Sequence, residues 1–319
     1  MSINSKTDLS LPVISIVLMM VLFSCSKEVS FTQKEPEGRL VVNGLIEPDS
    51  LITVRISSTV SILEEKAPLI EDAIVDLSID GSYAETLQYQ GEGMYASATG
   101  AVPGRVYAIE VSAPGYPVVS ATDTLPEAVP ILAGSREVGN TYDEYGDPHT
   151  DVEMIFRDPP GTDFYEFMFL TQHSQSEDQS YHVVFQFMVY VADLALKKDS
   201  ELEYEPFTYV FSDALFDGKT YRMENKFEAA ATSGSFLQPV IPEKDYNKEH
   251  IVLRHVSHAY YQYRKSWIRH SNNQQTGHFA DDPLYVLNVG SPKPMYTNIE
   301  GGYGIFAAYN TSWYSLDRH

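Results

Sequence analysis

Cysteine is almost absent from this chain, which holds a single one, Cys25, in 319 residues. No disulfide can form within the chain, and no metal site built from paired cysteines is available. A cysteine nucleophile deeper in the chain is excluded as well, because the one thiol stands close to the start.

Basic residues are also scarce: 22 Lys and Arg stand against 44 Asp and Glu, which gives a formal net charge of −22. Such a surface repels phosphate backbones and anionic head groups, so we expect no nucleic acid among the partners. Hydrophobic residues make up 43% of the chain, with 22 Tyr and 15 Phe. That content predicts a globular protein with a packed core.

Long apolar runs are missing too. The longest extends from Leu11 to Phe23, is broken by Pro12 and Ser15, and follows a polar start that carries Lys6. It is shorter than the roughly 20 residues that a membrane-spanning helix needs, and its layout is that of an export signal. We predict that residues 1–24 are a signal peptide that is removed.

The segment Leu22-Phe23-Ser24-Cys25 resembles the lipobox of bacterial lipoproteins, with a large apolar residue three before the cysteine and a small one directly before it. A lone thiol at the mature N-terminus is then the lipid attachment site, and its acyl chains suffice for stable anchoring. The alternative is an ordinary secretory signal cut at a small residue. Residues 25–38 are polar and predict a tether that ends at a glycine.

Short alternating strands begin at residue 39. Ile52, Val54 and Ile56 alternate with polar residues, as in a strand with one buried face. Turns are predicted at Asp80-Gly81, Gly91-Glu92-Gly93 and Pro103-Gly104. This spacing predicts an antiparallel β-sandwich of the immunoglobulin or prealbumin-like kind over residues 39–128, with a domain boundary within residues 126–136.

Residues 129–319 keep the β character and predict a second β-rich domain, so the predicted class is all-β. Asp217-Gly218 indicates a hairpin turn between two of its strands. One segment predicts a helix: Ser257 is its N-cap, and Tyr260, Tyr263 and Trp267 form an apolar stripe. The expected strands span Val152 to Phe156, Phe164 to Leu170, Tyr181 to Val191, Phe207 to Phe211, Tyr221 to Phe227 and Ile305 to Tyr309.

Several short segments, in order along the mature chain, carry a resemblance to a known family. The most specific lies near the C-terminus and reads Asn298-Ile299-Glu300-Gly301-Gly302-Tyr303-Gly304. The others include Arg39-Leu40-Val41-Val42-Asn43-Gly44, Glu71-Asp72-Ala73-Ile74-Val75, Pro103-Gly104-Arg105-Val106-Tyr107 and Ser212-Asp213-Ala214-Leu215-Phe216-Asp217-Gly218. Together they resemble a Bacteroidota lipoprotein family known as domain of unknown function 4249. The resemblance implies an outer-membrane lipoprotein, often associated with TonB-dependent receptors, and implies no catalytic residues.

Two groups of residues are candidate metal ligands. His255 and His258 are three apart, and imidazoles at that spacing can share a helix face and hold zinc. Asp143 and Asp147 bracket a turn with a glycine, which could hold calcium although it lacks the ligand spacing of an EF-hand. The alternative interpretations are that the histidines are simply exposed near a helix start and that the acidic turn is only solvated. We favour these interpretations and therefore predict no metal site.

Catalytic motifs are lacking, because the sequence holds neither a Gly-x-Ser-x-Gly elbow nor a phosphate-cradling loop. We therefore predict a binding protein that is not an enzyme and needs no cofactor. The leading hypothesis is a lipid-anchored outer-membrane protein that serves as an accessory subunit beside a TonB-dependent transporter. The alternatives are a surface hydrolase of glycans or peptides and an adhesive or structural module.

Overall fold

Strands dominate the folded part of the chain, which confirms the predicted all-β class. A computed structural model describes residues 38–60, 66–142, 146–174, 182–199, 209–233, 248–274 and 294–317. The first eight strands are β1 (Leu40–Ile46), β2 (Leu51–Ser58), β3 (Ile74–Ile79), β4 (Ser82–Thr86), β5 (Gln88–Gly91), β6 (Met94–Gly100), β7 (Val106–Ser112) and β8 (Val119–Thr124).

The remaining elements are mostly longer strands. They are β9 (Ile131–Tyr142), β10 (Pro148–Arg157), β11 (Phe164–Ser174), β12 (His182–Val191), α1 (Leu194–Asp199), β13 (Tyr209–Ser212), β14 (Thr220–Ser233), β15 (Glu249–Val256), α2 (His258–Gln274) and β16 (Tyr303–Leu316). Among the described residues, no helix is long and apolar enough to cross a membrane.

The N-terminal strands form the predicted sandwich. One layer has the order β4-β3-β7-β8, and the facing layer contains β5, β6, β2 and β1. Alternation decides which side chains fill the space between the layers: Ile52, Val54 and Ile56 of β2 are all buried. The turn predicted at Asp80-Gly81 connects β3 to its partner β4, and the turn predicted at Gly91-Glu92-Gly93 connects β5 to its partner β6.

The C-terminal strand β16 joins the sandwich to the rest of the fold. It pairs in parallel with β1 on one side, from Val41 opposite Tyr303 to Ile46 opposite Ala308. On its other side it pairs antiparallel with β15. Phe306 and Ala308 belong to the core of the sandwich, so residues distant in sequence complete that core.

Beyond β16 the sheet continues in the order β15-β11-β12-β14-β10-β9, with β13 paired to β11. This part is curved: Arg136 of the edge strand β9 reaches back to Glu249 of β15 at 2.8 Å. Gly134 lies so close to β15 and β16 that an added Cβ would meet Ile251 and Tyr314 at 2.8 Å. The curvature encloses an aromatic core that includes Phe156, Tyr165, Phe167, Phe169, Phe211, Phe216 and Phe227.

Helix α2 packs on β16 and begins where the sequence predicts. The hydroxyl of Ser257 accepts the backbone N–H of Tyr260 at 3.2 Å, which is the N-cap interaction. The helix brings Arg264 to Glu166, which is fully buried on β11 and also accepts from Arg254 and Tyr260. Two guanidinium groups therefore share one buried carboxylate.

Some expectations are wrong. Asp217-Gly218 forms a turn, but the strands on either side do not pair with each other: β13 pairs with β11, and β14 pairs with β10 and β12. β16 also extends well beyond Tyr309. Residues 131–136, within the region expected as a domain boundary, form the first half of β9, and the boundary stays a prediction. Residues 38–319 form one compact unit, and the division into a domain of residues 39–128 and a domain of residues 129–319 stays a prediction.

Asp123 lies where the sandwich meets the curved sheet. Its carboxylate accepts the backbone N–H of Ala308 on β16 at 2.8 Å, and it also bonds the hydroxyl of Ser257. Burial raises the pKa of Asp123 from 3.8 to about 6, and these hydrogen bonds only partly oppose that rise. Ionised Asp123 therefore destabilises the folded state.

We expect Asp123→Asn to stabilise the protein above pH 6 by about 3 kcal/mol and to have little effect at pH 4. In the wild type, the folded state holds a proton between pH 4 and about 6 that the unfolded state has released. Stability from this group is consequently lost as the pH rises through that window. Urea unfolding from pH 4 to 8 measures the difference, with exposed Asp72→Asn as control. A pH-independent difference would contradict the assignment.

Candidate functional site

Two turns and the end of β15 meet at one end of the strands of the curved sheet. The turn of residues 158–163 connects β10 to β11, and the turn of residues 213–219 connects β13 to β14. Because β11 pairs antiparallel with both β13 and β15, the start of β11 lies beside the ends of those two strands. The side chains of Asp158, Asp163, Asp213 and His255 are brought together there.

Asp158 joins the two turns from a buried position. One carboxylate oxygen accepts the phenol O–H of Tyr165 at 2.5 Å, and the other accepts the backbone N–H of Gly218 at 2.7 Å. Its own backbone N–H donates to the carbonyl of Lys219. Gly218 has a φ of +70°, a conformation that glycine adopts at little cost. The turn chemistry thus fixes where Asp158 lies.

Asp213 joins the turns a second time. Its carboxylate accepts the backbone N–H of Asp163 at 3.1 Å, and its backbone N–H donates to the carbonyl of Asp163 at 3.0 Å. Asp217 adds a third connection, because its side chain accepts the N–H of Gly161. The two turns therefore form one hydrogen-bonded unit.

His255 extends this unit to the segment after the sandwich. Its Nδ1 lies 2.8 Å from the carbonyl oxygen of Glu127, and its Nε2 lies 2.8 Å from Asp163. Because a carbonyl oxygen can only accept, Nδ1 donates the first of these hydrogen bonds. The ring also stacks on Tyr165 at 5.2 Å.

We define the carboxylate cluster as Asp158, Asp163 and Asp213, whose ligand oxygens lie within 4.8 Å of one another. Burial raises the pKa of both Asp158 and Asp213, and neighbouring carboxylates raise it further. Carboxylate oxygens at such separations suit a hard cation such as calcium. The hydrogen bonds above also give these oxygens a structural role, since they hold the two turns.

Of the residues predicted from sequence, His255 lies beside the carboxylate cluster. His258 is exposed at the start of α2, where Gln262 is its hydrogen-bond partner and Phe164 its aromatic neighbour. The two histidines thus have different partners. Asp147 is exposed before β10, while Asp143 and Cys25 lie outside the described residues. Metal binding at these positions and lipidation of Cys25 stay predictions.

The carboxylate cluster itself was not predicted, although both of its turns carry a sequence signal. Asp158-Pro159-Pro160-Gly161 and Asp213-Ala214-Leu215-Phe216-Asp217-Gly218 are acidic turn segments flanked by strands. Each segment alone indicates only a turn. The pairing of β11 with β13, which brings the segments together, is not visible in either one.

Two open grooves occur elsewhere on the described surface. One, of about 430 Å³, is lined by residues that include Thr122, Asn298 and Glu300. The other, of about 410 Å³, lies on the β9, β10 and β14 face, and Glu137, Glu153 and Lys226 contribute to it. Their volumes fall in the range that small ligands occupy.

We expect Tyr165→Phe to lower the free energy of unfolding by about 1 to 3 kcal/mol at pH 7, because it removes a donor from buried Asp158. The variant keeps the ring contacts with Phe156 and His255. Urea denaturation measures the loss, and Tyr142→Phe, at a phenol that is 61% exposed, is the control. Equal stability of the two variants would mean that the Tyr165 hydrogen bond contributes nothing.

Comparison with known proteins identifies one family. Residues 26–315 match the model described as Domain of unknown function (DUF4249). Among curated proteins, none matches the chain.

Two of the matching solved structures are only weakly similar to this chain. The chain matches a beta-glucuronidase of Bacteroides uniformis at 10% identity and a TM-score of 0.17, covering 59% of this chain and 30% of that one. It matches the BSP domain of a biofilm-associated protein at 9% identity and a TM-score of 0.19, covering 89% of this chain and 59% of that one. The chain thus spans less than two thirds of either protein, and similarity this low carries no argument about function.

Proposed function

Because this chain belongs to the DUF4249 family, we propose that it is a cell-envelope lipoprotein that binds beside an outer-membrane transporter. One observation supports the proposal: the apolar run from Leu11 to Phe23 leads into Leu22-Phe23-Ser24-Cys25 and a polar segment, and the folded unit begins at Gly38. That order is what an anchored binding protein requires. The partner is a TonB-dependent receptor, and the protein serves as its accessory subunit.

The described surface supports binding better than catalysis. The carboxylates of the cluster already accept hydrogen bonds that hold the two turns together, and both oxygens of Asp158 are used in this way. The two grooves are open, and most of the residues that line them are polar or charged, so they offer hydrogen-bonding groups to a hydrophilic ligand.

Anchoring is tested by changing the attachment residue. We expect Cys25→Ala to move the protein from the membrane pellet to the soluble fraction, since the variant has no thiol to acylate. Ser26→Ala, one residue further on, should stay in the pellet. Immunoblots of fractionated cells measure both variants, and recovery of Cys25→Ala in the outer membrane would contradict lipid anchoring.

The partner is tested by affinity purification of the tagged, lipidated protein from detergent-solubilised outer membranes. A TonB-dependent receptor at a stoichiometric ratio, identified by mass spectrometry, is the expected result. The Cys25→Ala variant serves as a matched control for chance capture of membrane proteins. Recovery of the lipoprotein alone would contradict the accessory role while leaving anchoring intact.

A hydrolase acting on surface glycans or peptides is the second candidate. The observation that favours it is the raised pKa of Asp158 and Asp213 close to His255, because perturbed carboxylates cluster at catalytic sites. Purified protein would be incubated with envelope glycans and peptides. Activity that Asp163→Asn abolishes, with unfolding unchanged, would replace the binding assignment.

A further inference from the structure

The folded unit exposes a small apolar surface where the chain emerges from the tether. We call this surface the tip and define it by Arg39, Pro114, Tyr116, Pro117, Val118 and Tyr303. Val118 is 55% exposed and Tyr303 is 48% exposed. Exposed Pro114 and Pro117 flank Tyr116 in the loop between β7 and β8.

Contacts show that these residues adjoin one another. A Cβ built on Gly38 would lie 3.3 Å from Cε1 of Tyr116, so the loop borders the start of the folded unit. The Arg39 guanidinium is 6.0 Å from the ring centre of Tyr303. Gly301, two residues before Tyr303, lies against the carbonyl of Val118, 3.3 Å from a Cβ built there.

Strand directions place the tip at one end of the sandwich. β1 and β16 are parallel and both begin there, and β8 begins there as well. Val102 lies at the opposite end, where Ala101 bridges to Pro48 after β1 has ended. Val102 is 57% exposed and Val118 is 55% exposed, so each end of the sandwich has one valine of nearly the same exposure.

We propose that the tip rests on the lipid surface that holds the anchor, with Tyr303, Tyr116 and Val118 in the head-group region. This inference rests on the proposed lipid anchor. Thirteen peptide steps separate Cys25 from Gly38, which limits the distance between them to roughly 45 Å in any conformation. The tether thereby keeps the tip at a high local concentration near lipid, where weak contacts are sufficient.

The chemistry of the tip fits a neutral lipid surface. Tyrosine combines an apolar ring with a polar hydroxyl and is enriched at membrane interfaces. Arginine keeps its charge in water or among head groups while its stem contacts apolar groups. Exposed Glu300 borders the tip and the chain is strongly acidic, so zwitterionic lipid is favoured over anionic lipid.

The test uses the full-length lipidated protein in vesicles of phosphatidylcholine and phosphatidylethanolamine. Acylation occupies the only native thiol, so Val118→Cys and the control Val102→Cys each provide one site for a thiol-reactive fluorophore. Brominated phosphatidylcholine then quenches a fluorophore that lies in the head-group region. We expect about a twofold loss of emission at residue 118 and none at residue 102, as for surfaces that sit about 5 to 10 Å into the interface.

Each outcome separates the two proposals. Protein that fails to float with the vesicles would overturn the anchor and the tip contact together. Floating protein whose two labels are quenched equally or not at all would overturn the tip contact alone. An emission change at residue 118 that depends on the protein-to-lipid ratio and not on bromine would assign the tip to a second copy of the chain, which also overturns the proposal.

Discussion

Glu166→Gln should lower the free energy of unfolding by about 3 to 5 kcal/mol. Glu166 is fully buried, and its carboxylate accepts from Arg254 at 2.8 Å, Tyr260 at 2.7 Å and Arg264 at 3.2 Å. Burial alone raises the pKa of Glu166, but the two guanidinium groups outweigh it and hold the pKa below its ordinary value. Glutamine keeps the shape and removes the negative charge to which both buried arginines donate.

The matched control is Glu153→Gln on the outer face. Glu153 also pairs with an arginine, Arg222, but their side chains are 24% and 62% exposed. Exposed pairs contribute less than about 1 kcal/mol, so this variant should unfold nearly as the wild type does. Chemical denaturation of both variants measures the contrast. A double variant, Glu166→Gln with Arg254→Met, should lose less than the two single losses combined, and strict additivity would contradict the coupling.

Gly304→Ala should cost a comparable amount, about 3 to 5 kcal/mol, or prevent folding. Gly304 has a φ of +103°, and a Cβ there would overlap the carbonyl oxygen of Val42 and lie 2.8 Å from the carbonyl carbon. The obstacle is backbone of the neighbouring strand β1, which cannot rotate away. The substitution therefore separates the strands that join the sandwich to the curved sheet.

Gly115→Ala is the control that measures the cost of a positive φ when there is no clash. Gly115 also has a positive φ, +83°, but nothing lies within 4 Å of a Cβ built there. We expect a loss of about 1 kcal/mol, attributable to strain in the left-handed region. Thermal unfolding measures the stability of both variants. Equal losses would show that the contact of Gly304 with β1 adds nothing to the cost of its positive φ.

Local features of the fold were predictable because their cause lies within a few residues. Alternation of Ile52, Val54 and Ile56 marks a half-buried strand wherever its partner lies, and Ser257 caps α2 through a bond three residues on. The edge strand β9 escaped prediction, since Gly134 and Gly139 interrupt its pattern. Gly134 is explained only by the close approach of Ile251 and Tyr314.

The site was less predictable than the fold for a related reason. His255 stood out by its spacing from His258, yet its partners are Asp163 and the carbonyl of Glu127. Asp213 and Asp163 are joined by the pairing of β11 with β13. The sequence shows which residues form each turn, but it does not show which turns are adjacent in the fold.

The last strand also decides the order in which the molecule can assemble. β16 contributes Phe306 to the sandwich core, Ile305 to the core beneath α2, and Tyr314 to the curved-sheet core. Synthesis produces β1 long before β16, so the edge of β1 that pairs with β16 stays open until β16 has been made. Contacts of such long sequence separation make folding slow. A chain that lacks β16 therefore leaves each of these cores incomplete.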